Sequence, residues 1–393
     1  DAWIIRTTPQ NPIRRALSVA VILATGAALT ATVALEARFQ WVRARVLAAD
    51  AAQLERLGRH FVVGYRDTAE LGQLIERRAI GGVFMGARNV EGLSADAVRE
   101  QIQSWQDTRR RQGLPPLLIA TDQEGGAVSR MSPPLPRQPP ISSVVEHRAD
   151  EGARITAAHD YGLAQGRALA SLGINLNFAP VVDLNKNVVN PNDRYTRIHE
   201  RAISGDPSVV TEVARHYCGG LVEAGVQCTL KHFPGLGGVF EDTHLEAGHL
   251  RLPRDELERS DWVPFRALMG SGALGAGTFT MLSHAKLAAL DADHPVSFSP
   301  AVVSGLLREA WGYEGVLITD DFSMGAAYAS REGIAAASVA ALNCGVDLIL
   351  IAYDPAQYFA MMDAVLAAAR DGSLRRDALG SSTRRLADTV AGR

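Results

Sequence analysis

Eight short apolar runs alternate with amphipathic stretches from about residue 55 onward in this 393-residue chain. They are His60–Gly64, Gly82–Met85, Leu117–Thr121, Ile174–Phe178, Gln227–Lys231, Thr278–Ser283, Val316–Thr319 and Asp347–Ile351. Most are continuously apolar rather than alternating, which is the pattern of parallel strands covered on both faces. Between them, apolar residues at three- and four-residue spacing predict helices over 153–171, 208–224, 300–311 and 333–344. Several of these close on a glycine suited to a helix C-terminus: Gly173, Gly225, Gly312 and Gly345. Eight strand–helix units predict an α/β fold, a single (β/α)8 barrel of the TIM type over residues 55–393. An open doubly wound sheet is the alternative, but no Gly-x-Gly-x-x-Gly follows the first strand. The longest loops are the Pro-rich Ser132–Pro140 and the polar Asp183–Ile203. In a barrel both would lie on the C-terminal face, where binding loops gather.

Residues 1–54 follow a different pattern. Ala16 to Leu35 carries no charge over 20 residues, with Arg14-Arg15 before it and Glu36 and Arg38 after it. At about 1.5 Å per residue such a helix covers roughly 30 Å, the hydrocarbon thickness of a bilayer. The flanking arginines favour a cytoplasmic N-terminus and place the barrel outside the cytoplasmic membrane. A single-pass membrane anchor is therefore expected. A cleaved signal peptide, with a weak site near Thr32-Val33-Ala34, and a non-membrane helix are the alternatives.

Composition narrows the partners. A net charge of −3 gives no electrostatic footprint for nucleic acid. Cys218, Cys228 and Cys344 lack metal-ligand spacing and read as small buried hydrophobes rather than a disulfide framework. No cluster has the spacing of a metal site, and neither a metal nor a cofactor is expected. Gly270–Gly277 precedes a strand, so it reads as a turn and not a phosphate cradle. His216 and His249 read as surface or satisfied histidines.

Polar residues crowd one end of the predicted strands. Strand three runs into Asp122-Gln123-Glu124-Gly125-Gly126, strand four into Asp183, strand five into Lys231-His232 and strand six into His284. Strand seven ends in Asp320-Asp321, and strand eight reaches Asp354. One strand-end aspartate is often a helix cap; six strands ending alike argue for a site. Sugar-cleaving chemistry needs a carboxylate nucleophile and a group that donates and then removes a proton. His244 lies between Gly237-Gly238 and Gly248, glycines that would let its loop swing over a bound sugar. An imidazole titrates near pH 6.5, and Asp242, two residues away, would stabilise its charged form. Other readings stand beside these. His244 could be a solvated loop residue, Lys231 and His232 structural ion-pair partners of rim carboxylates, and Asp320 or Asp321 the cap of a helix beginning near Phe322.

These residues resemble a known family. Lys231-His232-Phe233-Pro234-Gly235-Leu236-Gly237, followed by Asp242-Thr243-His244, resembles the signature of glycoside hydrolase family 3. More narrowly, it resembles the bacterial β-N-acetylhexosaminidases of peptidoglycan recycling. The likeness extends to Asp122 through Gly126 with Arg130, Asn177 through Asp183, Arg201 before Ser204-Gly205-Asp206-Pro207, Met281 with His284, and Gly315 through Met324. It implies that Asp320 is the nucleophile, His244 the general acid/base and Asp242 the carboxylate that orients it. It also implies that Asp122, Arg130, Arg201, Lys231 and His232 bind the N-acetylglucosamine hydroxyls. The usual Pro-Gly-His-Gly reads Pro234-Gly235-Leu236-Gly237 here, and the common Asp-Ser-His reads Asp242-Thr243-His244.

The expected activity is a retaining glycosidase that removes terminal β-N-acetylglucosamine from cell-wall fragments, with an N-acetylglucosamine-containing glycan or muropeptide as its partner; the sequence does not fix the oligomeric state. A β-glucosidase or glycoside phosphorylase on the same fold is the nearest alternative. A membrane-tethered, non-catalytic wall-binding protein is the alternative of another class.

Overall fold

All eight apolar runs contribute a parallel strand in the computed structural model, which describes residues 12–146, 148, 150–270, 274, 278–325 and 333–391. The strands are Phe61–Val63 (β1), Gly82–Phe84 (β2), Leu118–Thr121 (β3), Leu176–Asn177 (β4), Thr229–Phe233 (β5), Phe279–Leu282 (β6), Val316–Asp321 (β7) and Leu348–Ile351 (β8). Each pairs with its neighbour in sequence, and β8 returns to β1 through Phe61↔Ile349, Val62↔Leu350 and Val63↔Ile351. Between β4 and β5 the ladder thins to two parallel bridges, Leu176↔Gln227 and Val181↔Lys231. Pro180 lies between them and has no N–H to donate, but its carbonyl accepts from Lys231 N at 3.3 Å, that of Ala179 accepts from Thr229 N at 2.9 Å, and Val182 N reaches Lys231 O at 2.8 Å. The barrel is thereby closed on all sides.

Alternate residues of the strands fill the interior: Val62, Phe84, Leu118, Ala120, Leu176, Phe279, Met281, Val316, Ile318, Leu348 and Leu350 are buried in one cluster. The intervening residues, such as Phe61, Val63, Ile119, Leu317 and Ile349, are fully buried as well. Burial of both sets explains why the runs are continuously apolar. Each buried Val, Leu, Ile or Phe contributes roughly 1.5–3 kcal/mol relative to exposure.

The predicted helices form with small shifts at their ends. Asp150 accepts a hydrogen bond from Ala153 N to cap Glu151–Leu172, which ends at Gly173 in the left-handed conformation (φ 89°). Asp206 caps Pro207–Glu223 with Pro207 at its first position. The segment Ala301–Ala310 is wound as a π-helix, wider than the α-helix its periodicity suggests.

One expectation is overturned. Cys218 and Cys228 form a disulfide, with Cα atoms 5.5 Å apart, while Cys344 is free and buried. The chain turns back after Pro207–Glu223, so the last turns of that helix lie beside the residue that leads into β5. Sequence spacing alone does not reveal that return. In the Gly270–Gly277 stretch, residues 271–273 and 275–277 lie outside the described residues, as do 326–332 in the helix expected after Phe322.

The chain divides into two compact units between Ala48 and Ala49. The first contains the helix Pro12–Leu47, within which Ala16–Leu47 is long and apolar enough to cross a membrane. The second is the barrel. Its N-terminal end is covered by the helix Arg376–Ala391, where Arg385 pairs with Asp347 at 2.9 Å and Ser382 Oγ stands 3.3 Å from His60 Nδ1.

Candidate active site

The C-terminal ends of β3 and β5, with the short helix Ile198–Arg201 in the loop after β4, set two carboxylates against two cations. Lys231 Nζ reaches Asp122 Oδ1 at 2.8 Å and Glu124 Oε1 at 2.6 Å. Arg201 holds Glu124 in a fork, Nε to Oε2 at 2.9 Å and Nη2 to Oε1 at 2.7 Å. Burial disfavours the charge on Glu124, but Arg201 and Lys231 outweigh it and keep the carboxyl well below the usual range. Burial likewise opposes the charge on Lys231, and Asp122 and Glu124 reverse that effect, so its pKa is raised. The four side chains form a mutually neutralised floor of fixed charges. Arg130 lines the same pocket, and its buried Nε has no hydrogen-bond partner.

His232 extends this floor. Its Nδ1 lies 2.6 Å from Asp183 Oδ2, and its Nε2 lies 3.3 Å from Arg201 Nη2. A carboxylate accepts and a guanidinium donates, so these partners assign the proton to Nδ1 and the lone pair to Nε2. Asp183 also accepts from the N–H groups of His232 and Leu236, tying the end of β5 and the residues after it to the loop after β4.

The adjacent aspartates at the end of β7 have different surroundings. Asp321 is enclosed: it accepts from Ser323 N at 2.9 Å, Ala352 N at 2.7 Å and Tyr353 N at 3.2 Å, and from the Ser323 hydroxyl. It clamps β7 to the segment after β8, and burial raises its pKa. Asp320 lines the pocket, with Oδ1 accepting from the Asp321 amide at 2.8 Å. Burial again favours the neutral acid, yet the surrounding His232, His284 and His244 shift Asp320 below its ordinary pKa. Both line the pocket; of the two, Asp320 has the lowered pKa and Asp321 the oxygens occupied by neighbouring N–H and O–H donors.

His244 approaches from the loop after β5 and lines the same pocket as Asp320. Behind it, Asp242 is buried and accepts from the N–H groups of Arg194 at 3.2 Å, Tyr195 at 3.1 Å and His244 at 3.1 Å. Asp242 Oδ1 lies 3.3 Å from His244 Nδ1, and Thr196 Oγ1 stands near both. Burial, aided by Arg201, lowers the His244 pKa against the pull of Asp320 and Asp242. The imidazole is neutral at neutral pH, with Nε2 left to face the cavity. The loop is docked, since Gly325 N donates to His244 O at 2.9 Å. Two of its glycines act through close packing: a Cβ on Gly237 would lie 2.0 Å from Leu184 O, and one on Gly248 would lie 2.6 Å from Val239 Cγ1.

Every residue given a catalytic or binding role from the sequence therefore lies at one site. Asp122, Arg130, Arg201, Lys231, His232, His244 and Asp320 line the pocket, with Asp242 behind His244. Glu124, Asp183 and His284 were visible at strand ends but given no role. His284 is buried, bonded to Asp321 O at 3.0 Å and Ser297 Oγ at 2.8 Å. Thr196, Tyr195 and Tyr353 were missed, because no local spacing sets them apart. Asp354 is not a lining residue; it accepts from Gln357 Nε2. His249 is satisfied by Glu241 at 3.2 Å. Among the described residues no group of three or more His, Cys, Asp or Glu side chains could hold a metal.

A (β/α)8 barrel with a carboxylate and an imidazole lining one pocket beside a floor of fixed charges defines a glycosidase-type site. The model for the glycosyl hydrolase family 3 N-terminal domain matches residues 46–389, and the chain belongs to that family. It is 34% identical over 305 residues to a β-hexosaminidase of Tolumonas auensis, an alignment covering 77% of this chain and 84% of that one. It is 31% identical to the β-hexosaminidase LpqI of Mycobacterium tuberculosis, over 85% of this chain and 81% of that one. The structure of a family 3 β-N-acetylglucosaminidase from Paenibacillus sp. FPU-7 superposes with a TM-score of 0.76 and 30% identity, over 85% of this chain. This chain spans 61% of that larger protein.

Proposed function

We propose that this family 3 glycoside hydrolase is a retaining exo-β-N-acetylhexosaminidase that takes terminal N-acetylglucosamine from peptidoglycan-derived fragments. The observation that carries the reading is the single pocket shared by an ionised Asp320 and a neutral His244. Asp320, on a rigid strand, attacks the anomeric carbon as the glycosidic bond breaks. His244, protonated in the fraction of enzyme that reacts, gives its Nε2 proton to the departing oxygen. The neutral imidazole then takes a proton from water, which displaces Asp320 from the sugar with the anomeric configuration retained overall. Asp122, Lys231, Arg201, His232 and Arg130 bind the sugar hydroxyls; the ion pairs of Lys231 and Arg201 with Asp122 and Glu124, and the His232–Asp183 contact, hold four of them in place before substrate arrives. Slow fluorinated N-acetylglucosaminide is the test: label should accumulate on the peptide carrying Asp320, and label elsewhere, or an inverted product, would refute the mechanism. Added phosphate should leave turnover unchanged; acceleration would make the enzyme a phosphorylase.

The residues before the barrel anchor it at the outer face of the cytoplasmic membrane, or direct it there as a signal sequence. The length and apolarity of Ala16–Leu47 and the flanking Arg14-Arg15 support this reading. The Cys218–Cys228 disulfide fits an oxidising compartment. Alkylation of the denatured chain without reductant should modify Cys344 alone; modification of all three cysteines would place the barrel in a reducing compartment.

A further inference from the structure

A second cavity, of about 120 Å³, lies at the end of the barrel opposite Asp320. It is bounded by the first residues of β3 and β6 and by the C-terminal helix. Leu118, Phe279 and Leu386 supply an apolar wall and Thr383 a hydroxyl, while Arg59, Arg109 and Glu55 are the charged lining residues. An apolar cavity of about 150 Å³ takes up benzene, and this one, at about 120 Å³, is of the same order, so it suits nothing larger than one small ring or a short chain.

Arg109 is the unusual member. It is 6% exposed, its Nε donates to Pro115 O at 3.3 Å, and its Nη1 is buried with no hydrogen-bond partner. Glu55, whose charge reaches Arg109, is bonded instead to Arg78 at 2.9 Å and stands 3.8 Å from Arg59. Three guanidinium groups thus surround one carboxylate. A buried cation without a bonded anion is costly, and burial lowers the Arg109 pKa accordingly. A planar guanidinium matches a carboxylate in shape and charge, whereas inorganic phosphate would leave the apolar wall uncovered.

We propose that this cavity binds a small carboxylate with an apolar body, its charge held by Arg109 and its body packed on Leu118, Phe279 and Leu386. None of these residues reaches the catalytic pocket, so the site is independent of the hydrolytic reaction.

The test is thermal unfolding of the whole chain with benzoate or with benzamide, its neutral counterpart. Benzoate should raise the melting temperature with increasing concentration and benzamide should not. Arg109→Gln should weaken benzoate binding about tenfold to a hundredfold, the effect of losing a charged hydrogen-bond partner. Ala387→Phe, which fills the cavity from an exposed helix position, should abolish binding and keeps the test decisive if Arg109→Gln does not fold. Retained hydrolysis of aryl N-acetylglucosaminide reports that each variant is folded. Equal shifts with benzoate and benzamide, a benzoate shift that survives both substitutions, or no shift in the natural sequence would each overturn the proposal.

Discussion

Thr196 Oγ1 stands 3.2 Å from Nδ1 of His244 while lying 3.0 Å from Asp242 Oδ1. The hydroxyl gives its proton to the carboxylate, so its lone pair is free to accept from Nδ1–H. Asp242 therefore holds the imidazole partly through Thr196, at the limit of its own 3.3 Å contact. Thr196→Val should lower kcat/KM about tenfold to a hundredfold for substrates with poor leaving groups, while Thr196→Ser stays near the natural rate. Substrates whose leaving groups need no proton should lose less. A series of aryl leaving groups measures this, and an equal loss across the series would show that Thr196 only supports the loop.

Asp320 and Asp321 should separate chemistry from stability. Asp320→Asn should cut turnover about 10⁴-fold or more with little change in melting temperature. Asp321→Asn replaces an acceptor facing three backbone N–H groups and should cost about 1–3 kcal/mol in stability. Kinetics and thermal melts on both variants decide; the reverse pattern would move the nucleophile to Asp321.

The pH profile of kcat/KM reports the free enzyme. Asp320 must be ionised, and its pKa is lowered from 3.8, so the acid limb should fall below that value. His244 must be protonated to act as the acid, and its pKa is lowered from 6.5. Activity should therefore decline with rising pH through a midpoint below 6.5. The alkaline limb should fade for leaving groups that need no protonation. A midpoint above 7 would contradict the burial that sets this imidazole.

Stability should weaken in acid because of a histidine at the other end of the barrel. His60 is fully buried, its Nδ1 stands 2.9 Å from Asp347 O, and burial lowers its pKa from 6.5 to about 4. Between those values the unfolded chain binds a proton that the folded chain does not, so stability falls as pH drops through that window. The loss is on the order of 3 kcal/mol, at 1.36 kcal/mol per unit. Denaturant titrations from pH 7 to 4 should show this slope, flattened in His60→Gln. An unchanged slope in that variant would exclude His60 as its source.

Local pattern determined the strands, the eightfold alternation and most of the chemistry, because a buried parallel strand and a strand-end polar residue each leave a mark within a few positions. The run Leu348–Ile351 is legible as buried because both its faces are covered, and the block from Lys231 to His244 carries its likeness in consecutive residues. Tertiary structure decided what depends on barrel closure. It brought Glu124 under Arg201, 77 residues away, and Thr196 beside Asp242, 46 residues away. It turned Cys218 toward Cys228 and made Asp321 a clamp between β7 and the segment after β8. Side-chain periodicity records which face of an element is dry. The partner met on that face is set by where the chain returns, and that is known only once the strands have closed into a ring.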